Sequence, residues 1–588
     1  MPEYKNPQSE PGTERRFLLV FVLMAVVIFG SQLLMRKYMP QQPASTARPN
    51  QPVDSKQSQS PQAQPAPVPV LRGTALAPKA RPAQPASTRE ATSESETVVE
   101  NGFYRIAFTN RGAQVKSWVL KNFSDDQGRP LDLVNAAASA KYGYPLSLWT
   151  YDEGLRNKLN SALYVASGDG NLEAPADLAF EYSDSSLTVR KTFHFDHSYV
   201  VRVQTSVFDN GSPVYAFPSW PSGFGDQTTL PAYASSQLEY QLNNDTEHEG
   251  IKKIPGGNTL HGAFDWVGVS SSYFGAIFIP DSVDNLTVVT LRGAVEIPTD
   301  PSKPNETKPA DVLGIAVGRP GESSERLFVG PKSLEVLEAV PVPAISGADK
   351  DLRSLVNFGW FGPIARPLFI WLRWTNKYVH NWGWAIVLQT LIITLAMLPL
   401  RITQMKSALK MQKAAPQIKA IQEKYKKYSM RDPRKQDMNK EIGDLYKREG
   451  VNPVGGCLPL LIQMPFLIAY YKMLGAAIDL RQAHWLWIHD LSARDPYLLL
   501  PAFMVISMFA MQKMTPQAGM DPAQQRMMNV MMPVMMGFIF YNLAAGLNLY
   551  YAESNLIMIA QQAVMNRTAL GREMKEIAAK RARKKSSP

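Results

Sequence analysis

At 588 residues and a mean hydropathy of −0.19, the chain has room for several domains, and its average conceals where the apolar residues are gathered. The formal net charge is +11, yet residues 401–450 carry fourteen Lys/Arg against six Asp/Glu and residues 566–588 carry eight against two, so the rest is slightly acidic. Basicity confined to two segments argues against a nucleic-acid binder acting over its whole surface, and the single cysteine, Cys457, excludes an intramolecular disulfide.

Residues 1–16 lead into an apolar run, 17–35, that is long enough to span a bilayer. No small-x-small cleavage site follows directly, so the run reads as an uncleaved anchor with a cytoplasmic N-terminus. Residues 36–96, rich in Pro, Gln, Ala and Ser, lack the apolar side chains of a core and predict an extended, disordered tether. From 97 to 345 the texture is β. Runs at 103–108 and 114–120 flank an Asn110-Arg-Gly turn, and 187–195 and 199–205 flank Asp196-His-Ser. An antiparallel sandwich is predicted, and its size without disulfides suits a Gram-negative periplasm. His194 and His197 read as structural, since neither metal-ligand spacing nor a nucleophile elbow accompanies them.

Residues 352–377 mix aromatics with Arg353, Arg366, Arg373 and Lys377, predicting an amphipathic helix in the membrane interface. Spans are predicted at 382–400, 455–480, 497–514, 527–541 and 547–565, with Asn542-Leu-Ala-Ala-Gly546 dividing the last two. Between them lie a basic helical hairpin at 401–450, broken near Arg431-Asp432-Pro433, an outer loop at 481–496 and an inner loop at 515–526; a basic tail, 566–588, follows. With the anchor, six spans place both termini, the hairpin and the tail on one side, as the positive-inside rule requires.

Several motifs occur in order. They are Asn381-Trp-Gly383, Pro399-Leu400, the basic hairpin, VNPVGGCLPLLIQMP from Val451 to Pro465, Trp487-Ile-His-Asp-Leu-Ser492, Asp495-Pro-Tyr497, and Leu549-Tyr-Tyr551 with Ser554-Asn555. On these, residues 352–567 resemble the YidC family of membrane protein insertases. The resemblance implies a multi-domain α+β membrane protein: an N-terminal anchor, a five-helix core with a hydrophilic groove open to cytoplasm and lipid, and a periplasmic antiparallel β-supersandwich. It implies an inner-membrane insertase and folding chaperone whose partners are nascent and newly made membrane proteins and the Sec translocon. No catalytic residue, metal, cofactor or nucleotide is expected, because burying the client's own apolar helix in lipid supplies the free energy.

Site residues follow from both lines. Thr390 and Thr394 lie one turn apart on one helix face and, with Gln463 and Tyr551, make the expected polar client groove. Thr394 stands where the family usually carries an arginine, five residues before Pro-Leu. Lys472 and Glu553 depart from the family pattern at similar depth and are expected to form an intramembrane ion pair. Met528, Met531, Met532 and Met535 offer an adaptable apolar surface to clients. Lys580, Arg581, Arg583, Lys584 and Lys585, together with the hairpin, are expected to meet a ribosome, signal recognition machinery or anionic lipid. Two rival readings leave more unexplained. A solute transporter lacks an internal repeat of spans, and a membrane-anchored carbohydrate enzyme or binder leaves the helical block without a purpose.

Overall fold

The computed structural model describes residues 88–573, apart from 243–244, 283–284, 300–304, 344–349, 426–427, 429–431, 451–457, 515–526 and 570, together with 576–577. The predicted anchor, most of the predicted tether, the inner loop at 515–526, Cys457 and the basic residues 580–585 lie outside the described residues.

The β region is built on alternation. In Leu187–Phe195 the side chains of Leu187, Val189, Lys191, Phe193 and Phe195 turn inward and their neighbours outward. This strand pairs with Val200–Asp209 from Phe195↔Val201 to Leu187↔Asp209, so the hairpin stands where the sequence put it. Ten strands form the central sheet, with five-stranded sheets running through Tyr104–Thr109 and through Thr307–Gly318. Phe108 packs on Phe193 at 4.9 Å and on Phe195 and Phe180 at about 6 Å between centroids, tying two sheets together.

Two expectations are adjusted here. Among the described strands, pairing is antiparallel except where Glu96–Glu100 runs parallel to Gly170–Glu173. Residues 89–96, assigned to the tether, are already bonded to the sandwich: Arg89 and Ser183 exchange backbone hydrogen bonds of 2.8 and 3.0 Å. Side chains add to this, as where Glu94 pairs with Arg111 (3.2 Å) and the Ser95 amide donates to Asn110 Oδ1 (2.8 Å), and composition reveals none of these partners.

Lys191 occupies an inward position and is fully buried. Its ammonium donates to the carbonyls of Gly112 (2.7 Å), Ala113 (3.0 Å) and Leu146 (2.8 Å), so all three protons are used. Burial pushes its pKa down to about 7.

The helical region comprises α1 (Gly362–Val379), α2 (Trp382–Ala396), α3 (Leu398–Lys424), α4 (Arg434–Arg448), α5 (Leu458–Ala476), α6 (Leu499–Met514), α7 (Met532–Tyr541) and α8 (Ala545–Met565). Helix α1 is amphipathic as predicted: Ala365, Leu368, Phe369, Leu372 and Thr375 face inward, while Trp374 and Tyr378 remain exposed. Helix α2 packs against α1 and α8, α8 against α6, and α6 against α7.

The helices differ in length from the predicted spans. Among the described residues no single helix is long and apolar enough to cross a membrane, but α2 and α3, bent by 47° at their junction, meet that condition as a pair. The bend falls at Met397, so the last residues of the span predicted at 382–400 belong to α3, which runs on into the basic hairpin. Helices α3 and α4 close that hairpin through Ala414, Ile418 and Leu445. Helix α7 has only ten residues, about 15 Å, and is preceded by a π-helical turn over Met527–Met531.

One hydrophobic cluster runs from the sandwich through Val342, Leu352, Leu355 and Phe358 into the helices. At the seam, Arg481 Nη2 and Gln482 Nε2 both donate to the Ser124 carbonyl at 2.9 Å.

Candidate functional site: polar side chains within the helix bundle

A buried amide in an apolar bundle is costly unless it is bonded, and the bundle holds several that are. Gln389 on α2 is fully buried. Its Nε2 donates to the Leu368 carbonyl of α1 (2.9 Å), and its Oε1 accepts from the Tyr470 hydroxyl of α5 (3.1 Å). Tyr470 stacks on Tyr550 of α8 at 4.2 Å between centroids. On the far side of α8, Asn555 Nδ2 donates to Ser507 Oγ of α6 (3.0 Å) and approaches Met504 Sδ (3.4 Å). Near the end where the basic hairpin departs, Gln561 Nε2 donates to the Thr394 carbonyl (3.3 Å) and Asn566 Nδ2 to the Met514 carbonyl (3.3 Å). Arg401, one residue past the Pro-Leu pair, extends its guanidinium to Met511 Sδ on α6 at 3.8 Å. A cation therefore reaches the bundle from α3, although Thr394 supplies none.

The loop at 481–496 holds the helix ends in place. Asn381 caps α2 by accepting from the Trp384 amide (3.1 Å) and donates to the His484 carbonyl (3.0 Å). Gly383 is required because Trp485 lies on it: an added Cβ would stand 2.1 Å from the Trp485 ring. Asp495 accepts from Trp487 Nε1 (3.1 Å) and from the Leu500 amide at the start of α6 (2.7 Å). The Gly546 amide donates to the Leu491 carbonyl (2.8 Å), which fixes the start of α8. Three of the sequence motifs thus form a single clasp.

Of the predicted groove residues, Thr390 is buried and bonds back to the Ile386 carbonyl of its own helix (2.7 Å), the usual arrangement of an intrahelical threonine. Thr394 is half-buried, and its carbonyl bonds to α8. Tyr551 packs its ring on Phe540 at 4.6 Å, with its hydroxyl buried and unbonded among the described residues. The side chains of Gln463 and Met528 lie outside the described residues. Met531, at the end of the π-helical turn, and Met535 on α7 stand exposed with Val530, Val534 and Phe538, while Met532 turns partly inward.

Lys472 and Glu553 are not joined by an ion pair among the described residues. The Lys472 stem runs toward the loop before α1, its Cε 3.9 Å from where a Cβ on Gly359 would stand, and Glu553 Oε2 is buried without a hydrogen-bond partner among the described residues. A lysine with a four-carbon stem can follow its helix toward the interface.

Gln389, Tyr470, Ser507 and Arg401 were not singled out from sequence. The available signal was periodicity: Asn548, Asn555 and Gln562 recur every seven residues and so share one face of α8.

Comparison with known proteins bears on what this bundle serves. A family model described as "60Kd inner membrane protein" matches residues 374–572, and one described as "YidC periplasmic domain" matches 96–371. A curated "Membrane protein insertase YidC" from Geobacter metallireducens is 33% identical over 584 residues, covering 96% of this chain and all of the relative. The protein of the same name from Pelobacter propionicus is 31% identical, covering 94% and 99%. An active YidC insertase crystal structure is similar at 21% identity over 82% of this chain and 94% of that one, with a TM-score of 0.34, too low to transfer geometry.

Proposed function

Because the chain belongs to the YidC family of membrane protein insertases, we propose that it moves client transmembrane segments, with short polar flanking regions, into the inner membrane along the polar faces of α2, α5, α6 and α8. The observation that carries this reading is the set of bonded amides and hydroxyls within an apolar bundle: Gln389 with Tyr470, Asn555 with Ser507, and Gln561 with the Thr394 carbonyl. A polar client segment crossing lipid loses several kcal/mol per unsatisfied group. Groups able to exchange an internal hydrogen bond for one to the client lower that barrier. Arg401 adds a cation where the bundle meets the basic hairpin, and the outward row Met531, Met535 and Phe538 suits the client's apolar helix.

In this reading the sandwich is periplasmic, six spans place both termini in the cytoplasm, and the hairpin and tail meet ribosome, signal recognition machinery or anionic lipid. Transfer proceeds alone or with the Sec translocon and without nucleotide hydrolysis, driven by burial of the client helix in lipid.

Reconstitution tests it. Liposomes holding only the full chain should protect the short translocated segment of a small client from protease, where empty liposomes do not. Failure by folded protein would remove autonomous insertion. Recovery on adding the Sec translocon would reassign the chain to an assisting role.

A further inference from the structure

A cavity of ≈ 740 Å³ lies between the sandwich and the start of α1. Its polar wall is rich in basic side chains: Lys350, Arg353, Arg366 and His248 line it, with Asp351 as the lining carboxylate among the described residues. Most of these groups are held by neighbours. Lys350 bonds Asp265 (3.1 Å), Arg353 bonds Asp351 and Glu338 (2.9 Å each), and His248 Nδ1 meets Glu239 (2.7 Å). Among the described residues Arg366 makes no ion pair, and the buried Ser354 Oγ has no hydrogen-bond partner. The first turn of α1, at Gly362 and Pro363, adds the positive end of a helix dipole to the same wall. Apart from Asn357, the remaining side chains of the wall are apolar, among them Leu334, Val356, Phe358 and Pro367.

Position identifies the anion. Trp360, beside the cavity, is 93% exposed, and Trp374 and Tyr378 project from the outward face of α1, the distribution of aromatics at a membrane–water boundary. Lys472 rises to Gly359 at the edge of the cavity. We propose that the cavity binds the phosphate of an anionic phospholipid in the outer-facing leaflet, with Arg366 as its principal cation, Ser354 Oγ as a hydrogen-bond donor, and the upper acyl chain against Val356, Phe358 and Pro367. Charge complementarity beside an apolar wall fits a lipid, whereas a free phosphate would leave that wall unused. The proposal rests on the reading of α1 as lying at the outer membrane surface.

The test uses the full chain in nanodiscs carrying photoreactive phosphatidylglycerol or, separately, photoreactive phosphatidylcholine, with labelled peptides mapped. Phosphatidylglycerol should label residues 350–367 well above phosphatidylcholine. Arg366→Ala should lower that labelling roughly tenfold, and Arg366→Lys should restore part of it. Equal labelling by the two lipids, or an unchanged Arg366→Ala variant with a wild-type melting temperature, would overturn the site. Inorganic phosphate displacing the label at equal concentration would overturn the lipid assignment in favour of a free anion. Absence of labelling by either lipid on the outward face of α1, at Ile370, Trp374 and Tyr378, would instead remove the membrane-surface reading on which the proposal stands.

Discussion

Gln389 shows how one side chain can couple three helices. Its two bonds link α2 to a backbone carbonyl of α1 and to a tyrosine of α5, eighty-one positions away. Gln389→Leu keeps the volume but removes one partner of the buried Tyr470 hydroxyl, which is also bonded to the Thr390 side chain, at about 1–3 kcal/mol. The single variant should melt lower and insert clients several-fold more slowly, and adding Tyr470→Phe should recover stability without recovering insertion. Recovery of both in the double variant would reduce the pair to packing. Glu325 in the sandwich makes a pH prediction. Burial pushes its carboxyl up to about 8, partly opposed by the Ser323 hydroxyl and Arg319, from 4.5 for the unperturbed group. The folded form then holds the proton more tightly, so the contribution of Glu325 to stability declines as pH rises from 4.5 to about 8 and is level outside that window. Glu325→Gln should match the parent near the lower limit and exceed it above the upper one. Hydrogen exchange over Glu322–Pro331 in the full chain would read the difference.

Among elements, the clasp at 481–496 is the sharpest case of sequence translated into geometry. Gly383→Ala places a methyl 2.1 Å from the Trp485 ring, so the ring must leave α2, at about 1–3 kcal/mol. Exchange protection should fall in the loop and at the start of α8, where the Leu491 carbonyl holds Gly546, while α3 and α4 are unaffected. A wild-type exchange pattern would show that the ring can relocate freely. The residues of this clasp were legible in the chain as motifs, and so were the strand pair 187–195 with 200–209 and the inward stripe of α1, because alternation and amphipathicity are local. Hydrogen-bond partners were not legible. Gln389 with Tyr470 and Asn555 with Ser507 join helices whose facing rotation is set by tertiary packing, and the direction the Lys472 stem takes along its helix is set the same way. The shortness of α7 was also hidden, since apolar composition runs through a π-helical turn and a helix alike.

For the whole molecule, the seam between sandwich and helices turns on few groups. Arg481 donates to the Ser124 carbonyl and lies in the field of Asp126 and Asp226, two carboxyls raised chiefly by burial, that of Asp226 to about 6. Arg481→Ala should raise hydrogen exchange around 122–128 and 480–484 while insertion into liposomes persists, if the sandwich is accessory to transfer. Loss of insertion with the helices intact would make the seam part of the mechanism. At the other end, α2 and α3 meet at a 47° elbow with only Met397 between them. Beyond that elbow α3 has twenty-seven residues, an arm of about 40 Å. A rotation of about five degrees at Met397 sweeps the far end through about 3 Å, so a cargo-bearing complex resting on the hairpin tip would have mechanical leverage over the packing of Gln389 and Thr390 in the helix it continues.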